Sequence, residues 1–175
     1  MPIAAHDVSV VLFVRALTGL KTMLIKAEQY TVGHQLAASD LLGAQLAPDM
    51  QNLAWQAHWA AGSARLAVAR LVGARPVMPQ DDAKTFAELQ QRIDAAIEDL
   101  RGASPSEIEA GFARVIELEH PGGRMMFTGD KFLLEFAIPT FFYHLTNAYA
   151  ILGHRGVDVT RRDFLGSVSE VSRAQ

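Results

Sequence analysis

Three polar residues share one stripe of a strongly apolar segment near the end of the chain. In Pro139-Thr140-Phe141-Phe142-Tyr143-His144-Leu145-Thr146-Asn147, residues Thr140, His144 and Asn147 stand at i, i+4 and i+7, so a helix places them on one face. Polar groups on an apolar face need partners or water. A second imidazole, His58, lies midway along another apolar segment, in Trp55-Gln56-Ala57-His58-Trp59. Two histidines facing each other inside a helical bundle are the start of a divalent-metal site, and three protein ligands with one open position are the usual catalytic form. The blander reading is that each is a hydrogen-bonded core histidine. His6, His34 and His154 stand at helix ends and His120 at a turn, which suits solvated side chains.

Other chemistries are thinly represented. The chain has no cysteine, so thiol nucleophiles, thiolate metal sites and disulfides are absent together. There is no HxxxH or HExxH pair and no nucleophile-elbow pattern. The Gly122-Gly123 pair sits in a turn sequence without the strand-to-helix setting of a phosphate loop. Trp55, Trp59, Phe141, Phe142 and Tyr143 can line an apolar pocket or serve as core aromatics. Arg161 and Arg162 read as a solvated surface pair.

These residues sit in a sequence patterned for helices. Asp7 to Tyr30 carries apolar residues at helical spacing, with Asp7 expected as its N-cap and Gly33 as its end. Asp40-Leu41-Leu42 can open a short helix. A second long helix is expected from about Asp49 to Val72, with Pro48 near its first turn. Thr85-Phe86-Ala87-Glu88 matches a capping box and opens a third, closing at Gly102; Ser104-Pro105-Ser106-Glu107 repeats the signal. Residues 114–119 and 124–128 are β-rich around the turn His120-Pro121-Gly122-Gly123, which predicts a small hairpin. The last long helix is expected from about Asp130 to Gly153, kinked at Pro139. The fold class is therefore all-α: a four-helix bundle with a small β-hairpin between the third and fourth long helices, in one domain over residues 1–166, with 167–175 a frayed tail.

At 175 residues and half apolar composition, the chain can bury a core without a metal or disulfide staple. Its net charge of −3 argues against a nucleic-acid partner held through phosphates. No signal peptide and no uninterrupted apolar run near the roughly 18 residues of a membrane span stand out, so the expectation is a cytoplasmic protein without a membrane partner.

Several stretches resemble a bacterial domain-of-unknown-function family of the DinB/YfiT-like superfamily. They are Leu46-Ala47-Pro48-Asp49-Met50, Thr85-Phe86-Ala87-Glu88-Leu89, Gly122-Gly123-Arg124, Phe127-Thr128-Gly129, Phe136-Ala137-Ile138-Pro139 with His144, Ala148-Tyr149-Ala150-Ile151-Leu152 and Arg162-Asp163-Phe164-Leu165-Gly166. The resemblance implies a DinB-like bundle, often a homodimer, in a superfamily with metalloenzyme members whose metal is held by three histidines. One of those stands on the second helix and two stand four residues apart on the last. His58 resembles the first ligand and His144 the second of the last-helix pair, with Thr140 where the remaining histidine would be. Asn147 stands about where such proteins carry Gln. A threonine hydroxyl is a poor ligand for Zn²⁺ or Ni²⁺. The expectation is thus a degenerate metal site, with a divalent metal (Zn or Ni) or none, binding a small molecule in a buried polar pocket around His58, Thr140, His144 and Asn147. The alternative is a non-catalytic dimeric structural or stress-related binding module with His144 in its core.

Overall fold

The computed structural model describes residues 3–78, 80–120 and 122–168. The chain runs from a π-helical turn (Asp7–Val11) directly into α1 (Leu12–Gly33), so Asp7 lies inside the first turn and does not cap it; His6 holds the cap position without a side-chain bond. Of the expected stripe, Leu17, Leu20, Leu24 and Ala27 are fully enclosed, together with Phe13 and Met23, whereas Val11 is 48% exposed. Over Asp7–Gly33 this helix is long and apolar enough to cross a membrane, although charges interrupt it. Half of its apolar window is buried inside the fold, as expected of a central bundle helix.

A short α2 (Ala38–Leu42) tucks Leu41 and Leu42 beneath α1. α3 (Leu53–Val72) begins four residues later than the sequence predicts. Asn52, not Asp49, is its N-cap: Asn52 Oδ1 accepts from Trp55 N at 2.9 Å, while Pro48 and Asp49 stay exposed in the preceding loop. The side-chain amide oxygen satisfies an otherwise orphaned N–H, which a residue further upstream cannot reach. Its buried face is built mostly of small residues, Ala57, Ala60, Ala61, Ala64 and Ala67, and α7 and α4 pack closely on it. Gly73, in the left-handed conformation at φ 76°, ends the helix.

α4 (Phe86–Arg101) and α5 (Pro105–Gly111) both open with the capping boxes read from the sequence, Thr85 with Glu88 and Ser104 with Glu107. Two antiparallel strands follow, β1 (Val115–His120) and β2 (Gly123–Thr128), paired Ile116 to Phe127 and Leu118 to Met125. Ile116 and Leu118 are buried, and the Phe127 ring packs tilted against Phe132 and Phe136, so the helices support a hairpin too small to stand alone.

The last long helix is one continuous run in three parts: α6 (Gly129–Lys131), a π-helical segment (Phe132–Ala137) and α7 (Ile138–His154). Pro139 falls in the first turn of α7. Its ring lacks an N–H and crowds the carbonyl four residues back; the wider π turns lie immediately before it, where the sequence predicts a kink. Beyond Gly156, α8 (Arg161–Leu165) is capped by Thr160 with Asp163 and lies against α1. Gly19 makes that approach possible, because a Cβ there would stand 2.5 Å from Asp163 O. Residues 169–175, most of the expected tail, lie outside the described residues.

Candidate functional site around His144

α3 and α7 face each other along their lengths, and their meeting places His144 against the first turns of α3. His144 Nδ1 lies 2.9 Å from Gln56 Oε1. Gln56 Nε2 is turned to Gln51 O at 3.4 Å, which leaves the amide oxygen facing the imidazole. Nδ1 is therefore the protonated donor, and Nε2 keeps its lone pair. Both residues are buried, His144 to 6% exposure. The ring is walled by Trp55, edge-on at 5.2 Å between centroids, by Trp59 at 6.1 Å and by Tyr143 at 5.2 Å. Burial in this aromatic setting pushes the His144 pKa down to about 4, because the low-dielectric surroundings disfavour the imidazolium.

Asn147 is one turn further along α7. Its Nδ2 is the one fully buried side-chain nitrogen or oxygen without a hydrogen-bond partner among the described residues. Such a donor costs about 1–3 kcal/mol in a native fold unless water or a ligand meets it. Thr140, one turn before His144, is half-buried. The expected stripe of Thr140, His144 and Asn147 is thus present as one helix face.

His58 stands apart from this arrangement. Two positions separate it from Gln56, about 200° around the helix, so the face that carries Gln56 toward α7 turns His58 elsewhere. Its charged neighbours are Asp81, Arg92 and Asp82, on α4 and the connection leading into it. Burial, the largest influence, lowers its pKa, and Asp81 acts in the opposite direction. The histidine edge meets Trp59 at 6.1 Å, so the Trp59 indole contacts both imidazoles. Of the remaining histidines, His34 stacks on Tyr30 at 4.0 Å and bonds its carbonyl through Nδ1, and His154 is exposed at the end of α7.

The donors present do not fit a three-histidine metal centre. His144 commits Nδ1 to Gln56, the last-helix position four residues earlier is Thr140, and the α3 residue facing His144 is an amide. Among the described residues no group of three or more His, Asp or Glu side chains is placed to hold a metal ion. Five surface clefts among the described residues also lie elsewhere: none of them is lined by His58, Thr140, His144 or Asn147.

Gln56 is the residue that sequence reasoning missed. Its signal is positional: it lies three residues after Leu53 and four before Ala60, both fully buried, so a polar amide there had to find a buried partner.

Four long helices, with a hairpin between the third and fourth and polar groups of the last helix turned toward the second, define the class: a DinB-like bundle. The crystal structure of a DinB family member protein from Shewanella denitrificans superposes with a TM-score of 0.86 at 34% identity, covering 96% of this chain and 95% of that one. The chain belongs to the family of the domain of unknown function DUF1993, whose model matches residues 5–165. No curated protein matches the sequence.

Proposed function

We propose that the chain binds a small neutral molecule at His144, with Nε2 accepting a hydrogen bond and Asn147 Nδ2 donating one. The observation that carries this reading is the 2.9 Å bond between His144 Nδ1 and Gln56 Oε1, which fixes the tautomer and leaves Nε2 uncommitted. A ligand group with both a donor and an acceptor, such as a primary amide or an alcohol, satisfies both atoms.

Magnitude favours binding over proton abstraction. An imidazole with a pKa of about 4 is entirely neutral at pH 7, yet it is a weak base, whereas efficient general bases have pKa values near the working pH. The site therefore offers an acceptor rather than a strong base. No step is routed through a metal, because the donor set does not support one.

A panel of primary amides and short alcohols, followed by saturation-transfer NMR and by emission of the two tryptophans, tests the proposal. Binding that disappears in His144→Phe, with the helical circular dichroism retained, supports it; equal binding in that variant contradicts it. A core role has an observation of its own, the aromatic enclosure of His144. On that reading the variant shifts Tm and no panel member binds even the wild type. Incubating untagged protein with Zn²⁺, Ni²⁺ and Mn²⁺ should leave sub-stoichiometric metal by elemental analysis. Near-stoichiometric metal lost in both His58→Ala and His144→Ala would instead establish a metal site despite Thr140.

A further inference from the structure

We infer a second binding site, for an amphiphilic anion, in the cleft between α1 and α8. The cleft measures about 690 Å³ and is bounded by Thr18, Gly19, Arg161, Arg162 and Leu165. A neighbouring hollow lined by Val10, Val11, Val14, Arg15 and Arg101 meets it at Thr18 and Ser167, which border both. A cleft of this volume suits a ligand with a head and a short chain.

The charge of this surface is one-sided. In a chain of net charge −3, four arginines border the two hollows, and Asp163 is the one carboxylate that does. Asp163 is already engaged, by Lys26 Nζ at 2.7 Å and by the N-terminal turn of α8. Arg15, Arg161 and Arg162 form no ion pair among the described residues, and Arg101 pairs only with exposed Glu98 at 3.2 Å. Like charges gathered without a counter-ion repel one another, and an anion placed between them relieves that repulsion. The threonine hydroxyls do not compete for this role: Thr18 donates to Val14 O at 2.8 Å and Thr22 to Thr18 O at 3.1 Å. The head group therefore rests on guanidinium groups, which hold phosphate or carboxylate through paired N–H donors.

The apolar half is equally specific. Val11, Leu165 and Val168 are 48%, 41% and 50% exposed, and Val14 is half-buried beside them. Leu165 and Val168 supply an aliphatic wall beside Arg161 and Arg162, and Val11 and Val14 continue it in the adjoining hollow. Rigid backbone contacts hold its shape: Gly19 meets α8, and Gly166, at φ 66°, meets Arg15 O. An anionic head with an aliphatic tail fits this pairing; a bare phosphate uses only one half and a neutral alcohol only the other.

The source is a soluble amphiphile rather than a bilayer lipid, since the arginines and the wall line a depression between helices and not a convex face. Decyl phosphate below its micelle concentration should raise Tm of the full chain and bind by calorimetry. Decanol and inorganic phosphate should do neither. In Arg161→Gln and Arg162→Gln each substitution should weaken decyl phosphate binding roughly tenfold, the worth of one charge-assisted hydrogen bond, while Tm without ligand stays unchanged. Val11→Asn should weaken it without altering any arginine. Equal effects from decanol, or binding indifferent to all three substitutions, would overturn the proposal. Arginine-dependent sedimentation with phosphatidylglycerol vesicles, in the absence of binding to monomeric decyl phosphate, would also overturn it in favour of a membrane surface.

Discussion

The burial of His144 makes stability depend on pH in a defined direction. In the unfolded chain His144 titrates near its ordinary value of 6.5; in the fold it titrates at about 4. Between those values the unfolded state binds more protons, so the contribution of neutral His144 is fully present above pH 6.5 and is lost as pH falls toward 4. The shift corresponds to about 3 kcal/mol over the whole window. Urea unfolding at pH 7.5 and at pH 4.5 should show most of that loss in the wild type and much less of it in His144→Gln. Similar losses in both would place the titration elsewhere. Asn147 gives a prediction of opposite sign. Its buried Nδ2 has no partner among the described residues, so Asn147→Leu should raise stability by about 1 kcal/mol, as happens where a polar group is retained for binding rather than for folding. A comparable loss on thermal melting would mean that the amide is needed by the fold.

At the scale of elements, the start of α3 sets the register that brings Gln56 to His144. Asn52→Ala removes the cap and should cost about 1 kcal/mol, whereas Asp49→Ala, in the exposed loop, should stay within about 0.5 kcal/mol; chemical denaturation distinguishes them, and the reverse order would restore the earlier helix start. This is also where sequence reasoning shows its reach. The capping boxes at Thr85 and Ser104 are local chemistry, complete within four residues, and both are found where the sequence puts them. The choice between Asp49 and Asn52 is not local: both types cap helices, and the preceding loop, through the bond from Leu53 N to Ala44 O at 2.9 Å, decides where the chain turns inward. Pro139 announces a defect in the last helix, but not the π segment before it, whose Phe132 and Phe136 pack on Phe127 of the hairpin. In the site, Thr140, His144 and Asn147 were legible because one helix carries them. Gln56 and the separation of His58 were not, because they depend on the rotation of α3 relative to α7, and one residue of register is about 100°.

For the molecule as a whole, the apolar character of α1 has a physical resolution in the bundle. Its inner face is enclosed by α4 and α7, while Lys21 bonds Asp94 at 2.6 Å and Gln90 bonds Glu28 at 3.0 Å along its outer edge. Outside this core, Leu134 and Tyr143 on the last helix are more than half exposed. We propose the homodimer that the superfamily resemblance implies, and sedimentation equilibrium should give twice the chain mass of 19.1 kDa. A concentration-independent monomer would contradict it, as would a dimer unchanged by Leu134→Glu with Tyr143→Glu.

Burial holds His144 neutral, and Gln56 Oε1 accepts from its Nδ1–H, with Nε2 open to a ligand. Long-range proton–nitrogen NMR of the ¹⁵N-labelled protein at pH 7, with His144 assigned by its absence in His144→Phe, reads both nitrogens directly. The account predicts a pyrrole-type Nδ1, a pyridine-type Nε2 and a titration near pH 4. A protonated Nε2, or a titration near the ordinary histidine value, would contradict it.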